Sequence, residues 1–276
     1  MRPLSKVYTA LIFVILYAPI AVMVLFSFNS INSTGVFAGF STYWYRELFR
    51  DGATLAALKN TLLLAVSSSL IATVIGTVAA VGIFKLKSRA AKSAIMTVTN
   101  IPMMNPDIVT GISMMLLFVF VCVRLAGAAS LSFATVLVAH ITFNLPYVIL
   151  SVMPKLRQMD RHLTEAALDL GCTPMQAFWK VELPSIMPGV VSGLIMAFTL
   201  SLDDFVISYF TTGSGFETLP IRIYSMTKKR VTPDMYALST LIFIAVLALL
   251  ILSNLAGSRG EKKSRAKAPV PMEVTK

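Results

Sequence analysis

Apolar positions in this chain come in long unbroken runs. They lie at about Tyr8 to Phe28, Asn60 to Phe84, Ala94 to Val123, Leu131 to Val152, Ile186 to Phe210 and Tyr236 to Ala256. Each reaches the roughly 20 residues a helix needs to cross about 30 Å of hydrocarbon. A helix satisfies its own backbone hydrogen bonds where no water can, so the pattern predicts an all-α polytopic membrane helix bundle of six spans. The first run follows "MRPLSK" but is too long for a signal-peptide core and has no small-x-small site after it, which reads as a retained anchor. Most connections are short. Asn29 to Lys59 and Thr211 to Met235 are longer, rich in Gly, Ser and Thr, and carry aromatics ("FSTYWYRELF"), which predicts short interfacial helices.

The connection at about 153–185 is different, because helix-period apolar positions alternate there with charges and are cut by Gly171, Pro174, Pro184 and Pro188. Thr164 is placed to cap a short helix carrying Glu165, Ala166, Ala167 and Leu168, and Gly171 to stop it. A second helix is expected to start at Pro174, carry Phe178 and Trp179, and end before Leu183 and Pro184.

Composition agrees with a membrane protein: 56% of the 276 residues are hydrophobic, 13% are charged, and mean hydropathy is +0.77. The net charge of +11 is mostly a topology signal. With the N-terminus inside, the cytoplasmic segments carry sixteen Lys and Arg and the opposite side eight, so both termini are expected in the cytoplasm. The basic segment 257–276 has the composition of a disordered tail, and residues 1–256 form the membrane domain. Nothing in the charge pattern favours nucleic acid. Cys122 and Cys172 fall on opposite halves of the bilayer and read as packing residues.

The spans hold three acids, Asp107, Asp203 and Asp204, and no Lys or Arg stands among them to neutralise the set. An intramembrane acid costs several kcal/mol unless it meets water or a partner, and a cationic visitor would supply one. Asp107 and Asp203 fall roughly 20 Å from the cytoplasmic ends of their spans. Ser201, Asp204, Ser208 and Thr211 follow helical steps as one polar stripe, with Asp203 turned about 100° away. Tyr209, Phe198 and Phe205 are aromatic neighbours for an ammonium. Two structural readings stay open: Asp107 as the cap of a helix reforming after Pro106, and one of Asp203 and Asp204 as a hydrogen-bonding partner to a neighbouring helix. His140 reads as a hydrogen-bonded interior histidine; no acid, Cys or His stands at metal spacing from it. No nucleophile with its base and no phosphate-cradling "GxxxxGK[ST]" is present, so the chain is not expected to be an enzyme or to bind a cofactor.

The spacing of Glu165-Ala166-Ala167, Gly171, Phe178, Val181, Leu183-Pro184 and Pro188 resembles the EAA loop of permease subunits of binding-protein-dependent ABC importers, with Val181 where Ile is usual. Similarity extends through "YAPIAVMVLFSFNS", "FSTYWYRELFRDGATLAALKNTLLLA", "NPDIVTGISMMLLF" and "LPIRIYSMTKKRVTPDMYALST", which look most like the spermidine/putrescine branch that includes PotC and PotI. The resemblance implies a type I ABC importer permease fold in a bacterial inner membrane, moving a cationic amine by alternating access. It implies that Glu165, Ala166, Ala167, Gly171, Phe178, Leu183 and Pro184 form a coupling element seated on a cytoplasmic ATPase, with ATP and Mg held by that partner. It also implies two ATPase copies, a second permease subunit and a periplasmic binding protein, for which the outer cluster Lys228, Lys229 and Arg230 is a docking candidate. Permeases for opines and other amine-bearing solutes share the pattern. A stand-alone secondary cation transporter would explain the acids but not the loop.

Overall fold

The computed structural model describes residues 3–33, 35–125, 127, 130–213, 215–229 and 232–265. Its regular structure is helical: α1 (Pro3–Phe26), α2 (Tyr43–Leu48), α3 (Gly52–Lys85), α4 (Arg89–Met104), α5 (Asp107–Phe118), α6 (Phe133–Gln158), α7 (Arg161–Asp169), α8 (Pro174–Ala177), α9 (Leu183–Asp203), α10 (Val206–Thr211), α11 (Leu219–Lys229) and α12 (Pro233–Arg265), with π-helical turns at Val119–Leu125 and Phe178–Glu182. Among the described residues, five stretches are long and apolar enough to cross a membrane: Lys6–Phe26, Gly52–Lys85, Asp107–Leu125, Phe133–Gln158 and Pro174–Asp203. The sixth expected run lies on α12, where Pro233–Ala248 is apolar but shorter. The tail assigned to 257–276 begins within α12, and 266–276 lies outside the described residues.

Two expected spans are not single helices. The third is cut at Asn105, which adopts an extended φ of −84° and ψ of 138° ahead of Pro106, because the proline ring excludes the helical conformation from the residue before it. The fifth is cut at Asp204, also extended at φ −64° and ψ 122°, with no proline or glycine to announce the break.

Internal packing divides the chain into two units, Met1–Thr61 with Glu217–Leu247, and Leu62–Phe216 with Ala248–Lys276. In the first, the fully buried Asn29 organises the loop after α1. Its Nδ2 donates to the carbonyls of Ser33 and Val36 at 2.9 and 2.8 Å, its Oδ1 accepts from Ala38 N–H at 3.0 Å, and its own carbonyl accepts from Trp44 Nε1 at 2.7 Å. Short helices do form in the two longer connections, as α2 and α11, and Leu48, Ala57, Leu219 and Leu238 form a common apolar core. Arg222 of α11 reaches Asp51 at 3.0 Å. The Thr54 hydroxyl above all, then the Ala53 N–H and Arg222, hold the Asp51 carboxyl below its usual range, against the opposing effect of its partial burial. A lowered folded pKa stabilises above the unfolded value near 3.8 and is lost as pH falls through the folded one. Asp51→Asn is therefore expected to be less stable than wild type at pH 7 by under about 1 kcal/mol, since the pair is partly solvated. Melting curves in detergent from pH 7 to 3 should show that gap closing only below about pH 4.

In the second unit α6 lies antiparallel to α9, and glycines set the distance. A Cβ on Gly189 would stand 2.8 Å from Lys155 Cγ and 2.9 Å from the Ser151 carbonyl; one on Gly76 of α3 would stand 2.8 Å from Val148 Cγ1. Lipid offers no hydrophobic gain for helix association, so close packing through small residues carries it. Ala72, Ala80, Val148, Val152, Ile186 and Ala197 fill the resulting core. Several hydroxyls are satisfied locally: Ser67, Thr142, Ser151 and Thr199 each donate to the carbonyl four residues back. Gly213 is the tightest point, since a Cβ there would lie 1.7 Å from the Leu131 carbonyl oxygen. Because the obstacle is backbone, Gly213→Ala is expected to cost at least about 3 kcal/mol, read as a sharp fall in membrane abundance and melting temperature.

Candidate functional site

The polar stripe of the fifth span gathers inside the protein, but the break at Asp204 changes what it does. Asp204 turns its carboxylate onto the start of α10, accepting from Ile207 N–H at 3.3 Å and Ser208 N–H at 2.8 Å. Its Oδ2 lies 3.4 Å from His140 Nε2, which is also 2.9 Å from the Ser208 hydroxyl. The Asp204 side chain is 9% exposed and that of His140 1%. Ser201 is buried between Ser68 and Asn144, at 2.9 and 2.7 Å, and the Thr135 hydroxyl donates to the Thr211 carbonyl at 2.8 Å. Asp204, Ser201 and Ser208 are thus engaged within the fold, and His140 is the interior histidine expected of it.

Asp203, the last residue of α9, is exposed, as is Asp107 in the first turn of α5, where no side-chain cap bond forms. Gly111, one turn further along α5, stands against α10: a Cβ on it would lie 3.0 Å from the Phe210 ring and 3.5 Å from the Val206 carbonyl. The two interrupted spans therefore meet beside their breaks. Asn105 Nδ2 donates to the Thr110 hydroxyl at 3.3 Å. Tyr209 is exposed, with its ring 5.3 Å from Phe205 and 5.5 Å from Phe210.

The connection at about 153–185 folds as helix, turn and helix. Its first helix begins at Arg161, capped by Asp160, which accepts from His162 N–H at 3.0 Å; Thr164, the expected cap, lies inside the helix. Asp160 wins because it stands directly after the extended Met159 that ends α6. Gly171 has a φ of +85° and ends α7 with paired bonds, its N–H to the Leu168 carbonyl at 2.9 Å and Cys172 N–H to the Ala167 carbonyl at 3.0 Å. That left-handed closure suits glycine. Thr173 and Gln176 then exchange side-chain bonds at 3.0 and 3.3 Å around Pro174. The "T-x-x-Q" pattern was a legible start signal for α8.

The second helix does not end before Leu183 and Pro184. It widens into the π-helical turn, where Leu183 N–H bonds the Phe178 carbonyl five residues back, and runs on into α9. Pro184 falls in the first turn of α9, where its missing N–H is tolerated. Glu165 and Ala166 are exposed, Ala167 is buried and Phe178 and Leu183 are half-buried. Glu165 Oε2 is 3.2 Å from His162 Nδ1. Around them stand Leu163, Leu168, Leu170, Met175 and Trp179, 41–87% exposed, an apolar ridge made of helix-period positions of the loop, among which Leu168 and Trp179 were legible in the sequence. Lys228 is exposed with its Nζ 4.6 Å from the Tyr224 ring centroid; Arg230 and the Lys229 side chain lie outside the described residues.

Residues 72–260 match the family described as binding-protein-dependent transport system inner membrane component. The chain is 39% identical over 251 residues to the putrescine transport system permease protein PotI of Escherichia coli (strain K12), covering 91% of this chain and 89% of that one. It is 37% identical over 252 residues to the spermidine/putrescine transport system permease protein PotC of Haemophilus influenzae (strain ATCC 51907 / DSM 11121 / KW20 / Rd), covering 91% and 95%. Among solved structures, a chain of a bacterial ABC transporter involved in import of the acidic polysaccharide alginate superposes with a TM-score of 0.68 at 17% identity, over 92% of this chain and 94% of that one. A chain of the MetNI methionine ABC transporter gives 0.55 at 20% identity, over 83% and 100%.

Proposed function

Since this chain belongs to the family of inner membrane components of binding-protein-dependent transport systems, we propose that it works with a second permease subunit, two copies of a cytoplasmic ATPase and a periplasmic binding protein to carry a putrescine- or spermidine-like cation inward. The observation that carries the coupling half of this reading is the apolar ridge on α7, α8 and the adjoining turn. Apolar groups of that size stay exposed on a water-facing loop chiefly where a partner covers them. The ATPase supplies ATP and Mg; α8, the second half of the docking element, runs through the π-helical turn into α9 as one helical path, so a push on it reaches the fifth span directly. Six spans, with α12 as the sixth and both termini in the cytoplasm, fit the asymmetry of basic residues.

Asp203 and Asp107 are the acids we assign to the path, together with the exposed ring of Tyr209. Both stand at helix breaks of paired spans and are exposed, whereas Asp204 is consumed by capping. A carboxylate open to a path is matched by an ammonium and mismatched by an anion. The supporting relatives are named for putrescine and spermidine. The test is uptake of labelled putrescine, spermidine and an opine by a strain expressing the complete set of subunits: competition and uptake confined to the polyamines are expected, and uptake of the opine alone would overturn the substrate class.

On the outer face, Lys228, Lys229 and Arg230 are assigned to docking of the binding protein. Neutralising all three is expected to raise the binding-protein concentration for half-maximal transport several-fold at low salt and little at high salt. An unchanged dependence would leave the cluster as solvated surface.

A further inference from the structure

Glu182 belongs to the π-helical turn between the docking element and α9, and its side chain is 4% exposed. Its carboxylate lies 2.9 Å from Nζ of Lys85, the last residue of α3. The same Nζ stands 6.0 Å from the ring centroid of Phe178, which opens that turn. Beside this contact, Ile83, Phe84, Leu183 and Ile186 join one apolar cluster, and Lys92 of α4 donates to the Phe84 carbonyl at 3.3 Å. No step of transport described above uses the pair. A carboxylate kept out of water is costly unless a cation meets it, so its position asks for a reason.

Geometry supplies one. α9 is continuous with α8 of the docking element and moves with it, but α3 touches that region through apolar contacts, which permit sliding. The Lys85 side chain is 53% exposed, but the carboxylate it meets is buried, so drawing the two apart leaves Glu182 as an uncompensated buried charge, and the contact resists separation. We propose that Lys85 and Glu182 form a strut that carries displacement of the docking element into α3, making both positioning residues of the transport cycle. The proposal rests on the ATPase-docking reading of the loop.

The experiment uses the whole complex, with ATPase and binding protein co-expressed. Lys85→Glu and Glu182→Lys are each expected to lower uptake and binding-protein-stimulated ATP hydrolysis about tenfold, within the usual range of coupling effects, while the combined swap restores both to within about threefold of wild type. A swap no better than the worse single variant overturns the strut. Because a lone reversed charge can prevent folding, the apolar pair Lys85→Met with Glu182→Leu is the second arm, since such replacements generally preserve stability. It is expected to reach the membrane and retain the ATPase yet lose stimulated hydrolysis; full stimulation there overturns the proposal. A wild-type chain that brings down no ATPase would instead sink the docking reading itself.

Discussion

Asp203→Asn is expected to leave the protein folded in the membrane and to cut amine uptake roughly ten- to hundredfold, the size of one charged hydrogen bond lost in transit. Asn keeps the shape of the side chain, and Asp203 is exposed at the end of α9 with no helix start depending on it. Its neighbour should respond in the opposite way. Asp204→Ala removes the acceptor for Ile207 and Ser208 N–H and leaves His140 without its carboxylate, so membrane abundance itself should fall, by a cap loss of about 1 kcal/mol plus the cost of an unpartnered buried group. Asp204→Asn should recover much of that abundance, because Asn caps helices about as well as Asp. Immunodetection of membrane fractions beside transport of labelled putrescine separates the two roles. Wild-type uptake in Asp203→Asn would remove this acid from the path, and normal abundance of Asp204→Ala would refute the capping role.

Gly171→Val is expected to abolish most uptake at unchanged membrane abundance, with weakened co-purification of the ATPase. The residue has a φ of +85°, and a Cβ there meets nothing within 4 Å, so the penalty is wholly conformational. Left-handed geometry costs an L residue about 1 to 2 kcal/mol, more for a β-branched one, and relief requires re-aiming the turn between α7 and α8. The bundle is untouched, but Leu168 and Leu170 on one side of the turn and Met175 and Trp179 on the other no longer form one ridge. Gly171→Asn should be far milder, because Asn visits this region with little strain. Equal transport by the valine and asparagine variants would show that the turn geometry is not what the ATPase needs.

Much of this protein was decided by local sequence. Long apolar runs determine spanning helices because lipid leaves the backbone no other way to satisfy its hydrogen bonds, and the motif around Glu165, Gly171 and Pro184 located the helix-turn-helix loop proposed to dock the ATPase. Gly171 could be read as a helix stop because its conformational freedom is intrinsic to the residue. What the order of residues did not disclose was the fate of Asp204. A continuous helix would have put it in a stripe with Ser201 and Ser208; the break that turns it into a cap is held by His140, distant in sequence and brought near by the antiparallel packing of α6 on α9. Likewise Pro184 reads as a terminator, yet the helix passes it because a π-helical turn, held against α3 at Glu182 and Lys85, precedes it. Which of two adjacent acids is free to meet a cation depends on partners from other helices, and only tertiary structure sets those.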